Sequence, residues 1–138
     1  MEKHLIEIKN QLTELERLAT TIETLGEQWN LPMNFCLSLN LVLEELVTNI
    51  IFYGFPQGGE HLIQIEFMLD KTTLQLTVID DGIAFNPLSK EDPDLKASVE
   101  DRAIGGLGIH FVKTIMDSVR YERSNKKNVL IMTKSVAV

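Results

Sequence analysis

A chain of 138 residues, 44% of them hydrophobic, fits one globular domain spanning residues 1–138, and at this size about two-thirds of the unfolded surface can be buried. The formal net charge is −7 with no basic stripe, which argues against direct nucleic-acid binding, since phosphate neutralisation needs clustered Lys and Arg. Cys36 is the single cysteine, so an internal disulfide and a cysteine-cluster metal site are excluded.

No apolar stretch approaches the roughly 18 residues of a membrane span, so no membrane association is expected. The opening "MEKHLIEIKNQLTELE" has no uninterrupted apolar run of the kind a signal peptide carries, and the cytoplasm is the expected location. "HLIEIKN" (4–10) reads as a short strand. The segment 12–30 carries Leu15, Leu18, Ile22 and Leu25 at helical spacing, and Pro32 separates it from the next periodic run. A second helix is expected from Met33 to Phe52, with Leu39, Leu43, Leu46 and Ile50 on its core line; the turn-rich "YGFPQGGE" ends it.

Within that helix, Glu45 and Asn49 stand four apart and share a face. Their column lies about 100° round from the line through Leu46 and Ile50, at the margin of the buried stripe, where a cleft can open. A solvated flank stabilised by a Glu/Asn pair fits the same spacing.

"HLIQIEFML" and "TTLQLTVID" read as two strands around a turn at Asp70–Lys71. Alternation puts Leu74, Leu76, Val78 and Asp80 on one face, so Asp80 follows three apolar residues inward while Asp81 faces out. An inward carboxylate is costly unless it receives hydrogen bonds, and as an acceptor it could read an amino group, with Gly82 leaving room beside it for a flat ligand. An Asp–Gly turn past the strand's buried part is the plainer alternative. Residues 83–104 are mostly polar and without period, longer than a usual connection.

Gly105, Gly106 and Gly108 then open a helix expected over roughly 106–118, with Ile109, Val112, Met116 and Val119 spaced for one face. Glycine there costs roughly 1 kcal/mol against alanine. A flexible turn is one explanation; the other is close approach of an anion to the unpaired N–H groups of the helix start. "VRYERS" and "NVLIMTKSV" close the chain as a hairpin around Asn125–Lys127. The order of elements gives an α+β fold, a two-layer sandwich with about three helices on one face of a mixed, mostly antiparallel sheet. His4, His61 and His110 have no metal-ligand spacing, and Trp29 reads as core or interface.

Taken in order, Glu45…Asn49, "DDGIAF" (80–85) and "GGLGI" (105–109) resemble the N, G1 and G2 boxes of the GHKL ATPase superfamily. "EELVTNIIFYGF", "DDGIAFNP" and "GGLGIHFVKTIMD" are most similar to the small bacterial anti-sigma-factor serine kinases. The resemblance implies the Bergerat ATP-binding fold, with residues 83–104 as the ATP lid. By position it implies that Asn49 ligands Mg²⁺ and that Asp80 accepts from the adenine amino group, with Gly82 and Ala84 beside the base. It further implies that Gly105, Gly106, Leu107 and Gly108 lie against the phosphates, that Glu45 is the general base for a substrate serine, and that Arg102 reaches the γ-phosphate. The implied cofactors are ATP and Mg²⁺; the implied partners are a small anti-sigma antagonist protein that is phosphorylated, a sigma factor, and, as an allowed assembly, a second copy of the chain. Tyr53, Ala84 and Lys127–Asn128 depart from the pattern, standing where relatives often have His, Gly and Gly–Thr. A non-catalytic, ATP-gated protein-binding module is the alternative function.

Overall fold

The computed structural model describes residues 1–89 and 106–136. The order is β1 (Glu2–Lys9), α1 (Glu14–Gln28), α2 (Met33–Tyr53), β2 (Leu62–Asp70), β3 (Thr73–Asp80), a short 3₁₀ turn (Pro87–Ser89), α3 (Gly106–Ile115), β4 (Ser118–Ser124) and β5 (Lys127–Ser135). Five strands form one sheet in the order β1-β2-β3-β5-β4. Every ladder is antiparallel, so the expected mostly antiparallel sheet contains no parallel pair among the described residues.

Alternation fixes which face is buried. Ile6 and Ile8, Ile63, Ile65 and Phe67, Leu74, Leu76 and Val78, and Leu130 and Met132 all point to one side and form a single core with the helices. Helix α1 contributes Leu18, Ile22 and Leu25, α2 contributes Leu39, Val42, Leu43, Leu46 and Val47, and α3 contributes Ile109 and Val112. The hairpin between β4 and β5 turns on Asn125 and Lys126, both at positive φ (53° and 64°), the combination that matches the strands' right-handed twist in a two-residue loop. Helices α1 and α2 approach closely at Gly26, where a Cβ would sit 2.8 Å from the Cys36 sulfur. Trp29 packs half-buried against the core.

Two expectations need correction. Helix α2 is long and apolar enough to cross a membrane by length and composition, so the statement that no stretch approaches that length does not hold. The physical reason is its place in the fold: α2 packs along the sheet through Phe35, Leu39, Val42, Leu43, Leu46 and Val47, and Glu44 and Glu45 are its only charged residues. The third helix, expected to reach Ser118, ends at Ile115. Its last carbonyl accepts from the Lys134 ammonium (2.7 Å), and the Asp117 N–H is drawn to the Thr133 carbonyl (2.9 Å), which starts β4.

Candidate nucleotide site

At one end of the core a small cleft opens between α2, the end of β3, the segment after it, β4 and β5. Its apolar lining includes Leu46 and Ile50 from α2, Val78 from β3, Ile83 and Phe85 from the following segment, and Leu130 from β5; Asn49, Asp80 and Asn128, with Tyr53 and Tyr121, supply its polar groups. Largely apolar walls with a few convergent polar groups are the usual make-up of a small-molecule site.

Strand alternation carries Asp80 inward as expected: it is 5% exposed, whereas Asp81 is exposed and pairs with His61 (3.1 Å). The Asp80 carboxylate is held at one oxygen only. Oδ1 accepts from the Gly82 N–H (2.9 Å) and from Asn128 Nδ2 (3.0 Å), and Oδ2 has no partner among the described residues. Burial pushes the Asp80 carboxyl above its ordinary range, Asp81 adding to the effect; the bonds from Asn128 and Gly82, and the charge of Arg123, oppose it. A buried oxygen with a spare lone pair calls for a donor. The amino group of a base set between apolar walls fits that requirement.

The fold itself also requires glycine at position 82. A Cβ there would lie 2.6 Å from the Gly54 carbonyl oxygen and 2.9 Å from Asp80 Oδ1. The bare backbone lets the chain turn tightly over the end of α2, where the Ile83 N–H donates to the Gly54 carbonyl (2.9 Å). Arg123 Nη1 donates to the Gly82 carbonyl from β4 (2.9 Å). Ala84 is exposed and lies outside the cleft lining, which takes its two neighbours, Ile83 and Phe85, instead.

On α2, Asn49 Nδ2 donates to Glu45 Oε1 (3.1 Å), the i,i+4 bond anticipated from spacing. The bond leaves Asn49 Oδ1 without a partner among the described residues. Asn49 lines the cleft; Glu45, one turn back, does not. No group of three or more His, Cys, Asp or Glu is arranged for a metal among the described residues. A hard cation here would take an oxygen from Asn49 and the rest of its shell from phosphates and water, as Mg²⁺ commonly does. Gly106, Leu107 and Gly108 form the first turn of α3, which packs beside α2. Arg102, Gly105 and residues 90–104 of the expected lid lie outside the described residues.

Asn128 is the residue that sequence reasoning missed. It pairs across from Asp80 in the ladder and is 8% exposed. Its signal was available in the alternation Asn128, Leu130, Met132, the same inward register that marked Asp80.

This geometry, an α+β sandwich with a largely apolar cleft beside an acidic strand end, is that of a small-molecule-binding domain. The chain matches the histidine kinase-like ATPase domain family over residues 8–134. It belongs to that family, and ATP is the nucleotide the family's description implies. Among curated proteins it is 26% identical over 113 residues to the serine/threonine-protein kinase BtrW of Bordetella bronchiseptica, covering 82% of this chain and 78% of BtrW. It is 26% identical over 100 residues to the anti-sigma F factor of Oceanobacillus iheyensis, covering 72% and 68% of the two chains. Among solved structures, it superposes on the chain holding the RsbU and RsbW domains of Rv1364c from Mycobacterium tuberculosis with a TM-score of 0.68 at 11% identity. That match covers 98% of this chain and 32% of the other. A histidine kinase domain from Erythrobacter litoralis gives a TM-score of 0.57 at 16% identity, covering 91% and 60%.

Proposed function

We propose that this chain is an ATP-dependent protein serine kinase that also acts as an anti-sigma factor in the cytoplasm. In this reading it binds a sigma factor and phosphorylates a serine on a small antagonist protein, in a partner-switching pathway; a homodimer is compatible with it. The observation that carries the reading is the half-committed Asp80 carboxylate in an apolar cleft, with the Glu45–Asn49 pair at the cleft's rim. The names of the similar proteins point the same way.

Each residue then has a distinct task. Asp80 Oδ2 accepts from the adenine amino group while the apolar walls cover the ring faces. Asn49 would offer its side-chain oxygen to Mg²⁺, which when bound would supply neutralisation of phosphate charge. Gly106 and Gly108 let phosphate oxygens approach the N–H groups of α3. Glu45 takes the proton from the substrate serine hydroxyl as its oxygen bonds to the γ-phosphorus, the bond from that phosphorus to the bridging oxygen breaks, and ADP leaves. Arg102 stabilises charge on the transferred group.

The test is incubation of the protein with Mg²⁺ and γ-labelled ATP together with candidate antagonist proteins. Label on an antagonist serine is expected. ATP binding without transfer to any antagonist offered would refute the kinase and leave an ATP-gated binding module.

A further inference from the structure

The side-chain amide of Asn128 makes four hydrogen bonds, which is its full capacity. Nδ2 donates to Asp80 Oδ1 (3.0 Å) and to the Ile83 carbonyl (2.8 Å). Its oxygen accepts from the Phe85 N–H (3.2 Å) and from the Tyr121 hydroxyl. Turning the amide over would set its oxygen against two acceptors and its NH₂ against the Phe85 N–H, so these partners admit one orientation. This has two consequences. Asn128 lines the cleft yet has no polar valence left for a ligand. And because its donor goes to Oδ1, which already takes the Gly82 N–H, the free acceptor of Asp80 is always Oδ2.

We propose that Asn128 is a positioning residue for adenine recognition: it locks the Asp80 carboxylate with one oxygen committed and the other presented to the base, and it fastens residues 83–85 to the strand ends, without touching the nucleotide. The proposal rests on the cleft being the ATP site. It assigns the chain's preference for adenine to Asp80 as oriented by Asn128, and it couples that preference to the wall of the cleft, since Ile83 and Phe85 hang from the same amide.

The experiment is calorimetric titration of ATP and GTP into wild type, Asn128→Leu and Asn128→Thr, with amide exchange at Phe85 followed in nucleotide-free protein. Leu keeps the volume and removes all four bonds; ATP affinity should fall about tenfold or more, the range for a hydrogen bond to a charged group. The ATP-over-GTP preference should shrink, and Phe85 should exchange faster. Thr has one proton to donate, and the charged acceptor Asp80 takes it. Asn128→Thr should therefore regain ATP affinity to within a few-fold, with its preference, while Phe85 still exchanges faster than in wild type. A folded Asn128→Leu with wild-type affinities for both nucleotides overturns the proposal. Should that variant not fold, Asn128→Thr decides: lost adenine preference or unchanged Phe85 exchange overturns it. A wild type that binds no ATP would instead sink the reading of the cleft, and Phe85 exchange would still test the fastening.

Discussion

Replacing Asp80 by Asn changes one atom type and tests the base-reading assignment. The two N–H groups aimed at Oδ1, from Gly82 and Asn128, oblige the new amide to keep its oxygen there. Its NH₂ then takes the place of Oδ2, and a donor faces the donor of adenine. The loss is one hydrogen bond to a charged group, about 1.5–3 kcal/mol, or roughly 10- to 150-fold in the ATP dissociation constant. Stability should not suffer. The folded pKa of Asp80 is raised by burial, so the fold favours the neutral form. Its stabilising contribution is complete below the unfolded pKa and is lost as pH rises through the folded one; a neutral amide keeps that contribution at pH 7. The assay is calorimetric titration with ATP and GTP beside a thermal melt. A folded Asp80→Asn protein that binds both nucleotides as wild type does would refute the assignment. In wild type, ATP affinity should decline on acidification beginning above the ordinary carboxylate range, because only the ionised form offers Oδ2 without a competing proton.

Three further outcomes separate the roles of neighbouring groups. Asn49→Ala should stay folded, since Asn49 is only half-buried, and should lose the part of ATP affinity that depends on Mg²⁺; titrations with and without the metal that match wild type would remove Asn49 as the ligand. Glu45→Gln should keep ATP affinity within a few-fold while phosphoryl transfer falls by about 10² or more, the general-base range, and transfer at the wild-type rate would exclude Glu45 as base. Gly82→Ala should lower stability by about 1–3 kcal/mol, as overpacking does, because its Cβ would stand 2.6 Å from the Gly54 carbonyl oxygen; an unchanged thermal midpoint would show that the turn yields.

Most of the fold was legible because its elements are strongly periodic and bounded by turn residues. Ile63, Ile65 and Phe67 against Gln64 and Glu66 left no doubt about β2 or its buried face. The inward Asp80 followed from the same alternation. What was hidden depends on tertiary contacts. The end of α3 is set by Lys134 from a strand nineteen positions on, and nothing local marks it. The neighbour that excludes a side chain at Gly82 is Gly54 at the end of α2, invisible without the packing. Asn128 was discounted because it stands where a different residue is common. Its partners Asp80, Ile83 and Phe85 come from one stretch and Tyr121 from β4, two segments that only the closed sheet brings together.

The position of Glu45 outside the cleft lining bears on whether the chain transfers phosphate or only binds ATP. A group that reads a base must sit in the cleft, where Asp80 stands. A general base must instead stand beyond the phosphates, where a protein serine can reach it from solvent. Asn49 lines the cleft and Glu45 stands one helical turn back from it, tied to Asn49 at Oε1. Among the described residues Oε2 accepts no hydrogen bond, so it is available for a hydroxyl proton. A purely structural Glu/Asn pair gains only about 0.2–0.5 kcal/mol on a helix and would be indifferent to the presence of a substrate serine. The transfer assay on Glu45→Gln discriminates between these, because a structural pair predicts full transfer with slightly lowered stability, and a base predicts intact ATP binding with transfer lost.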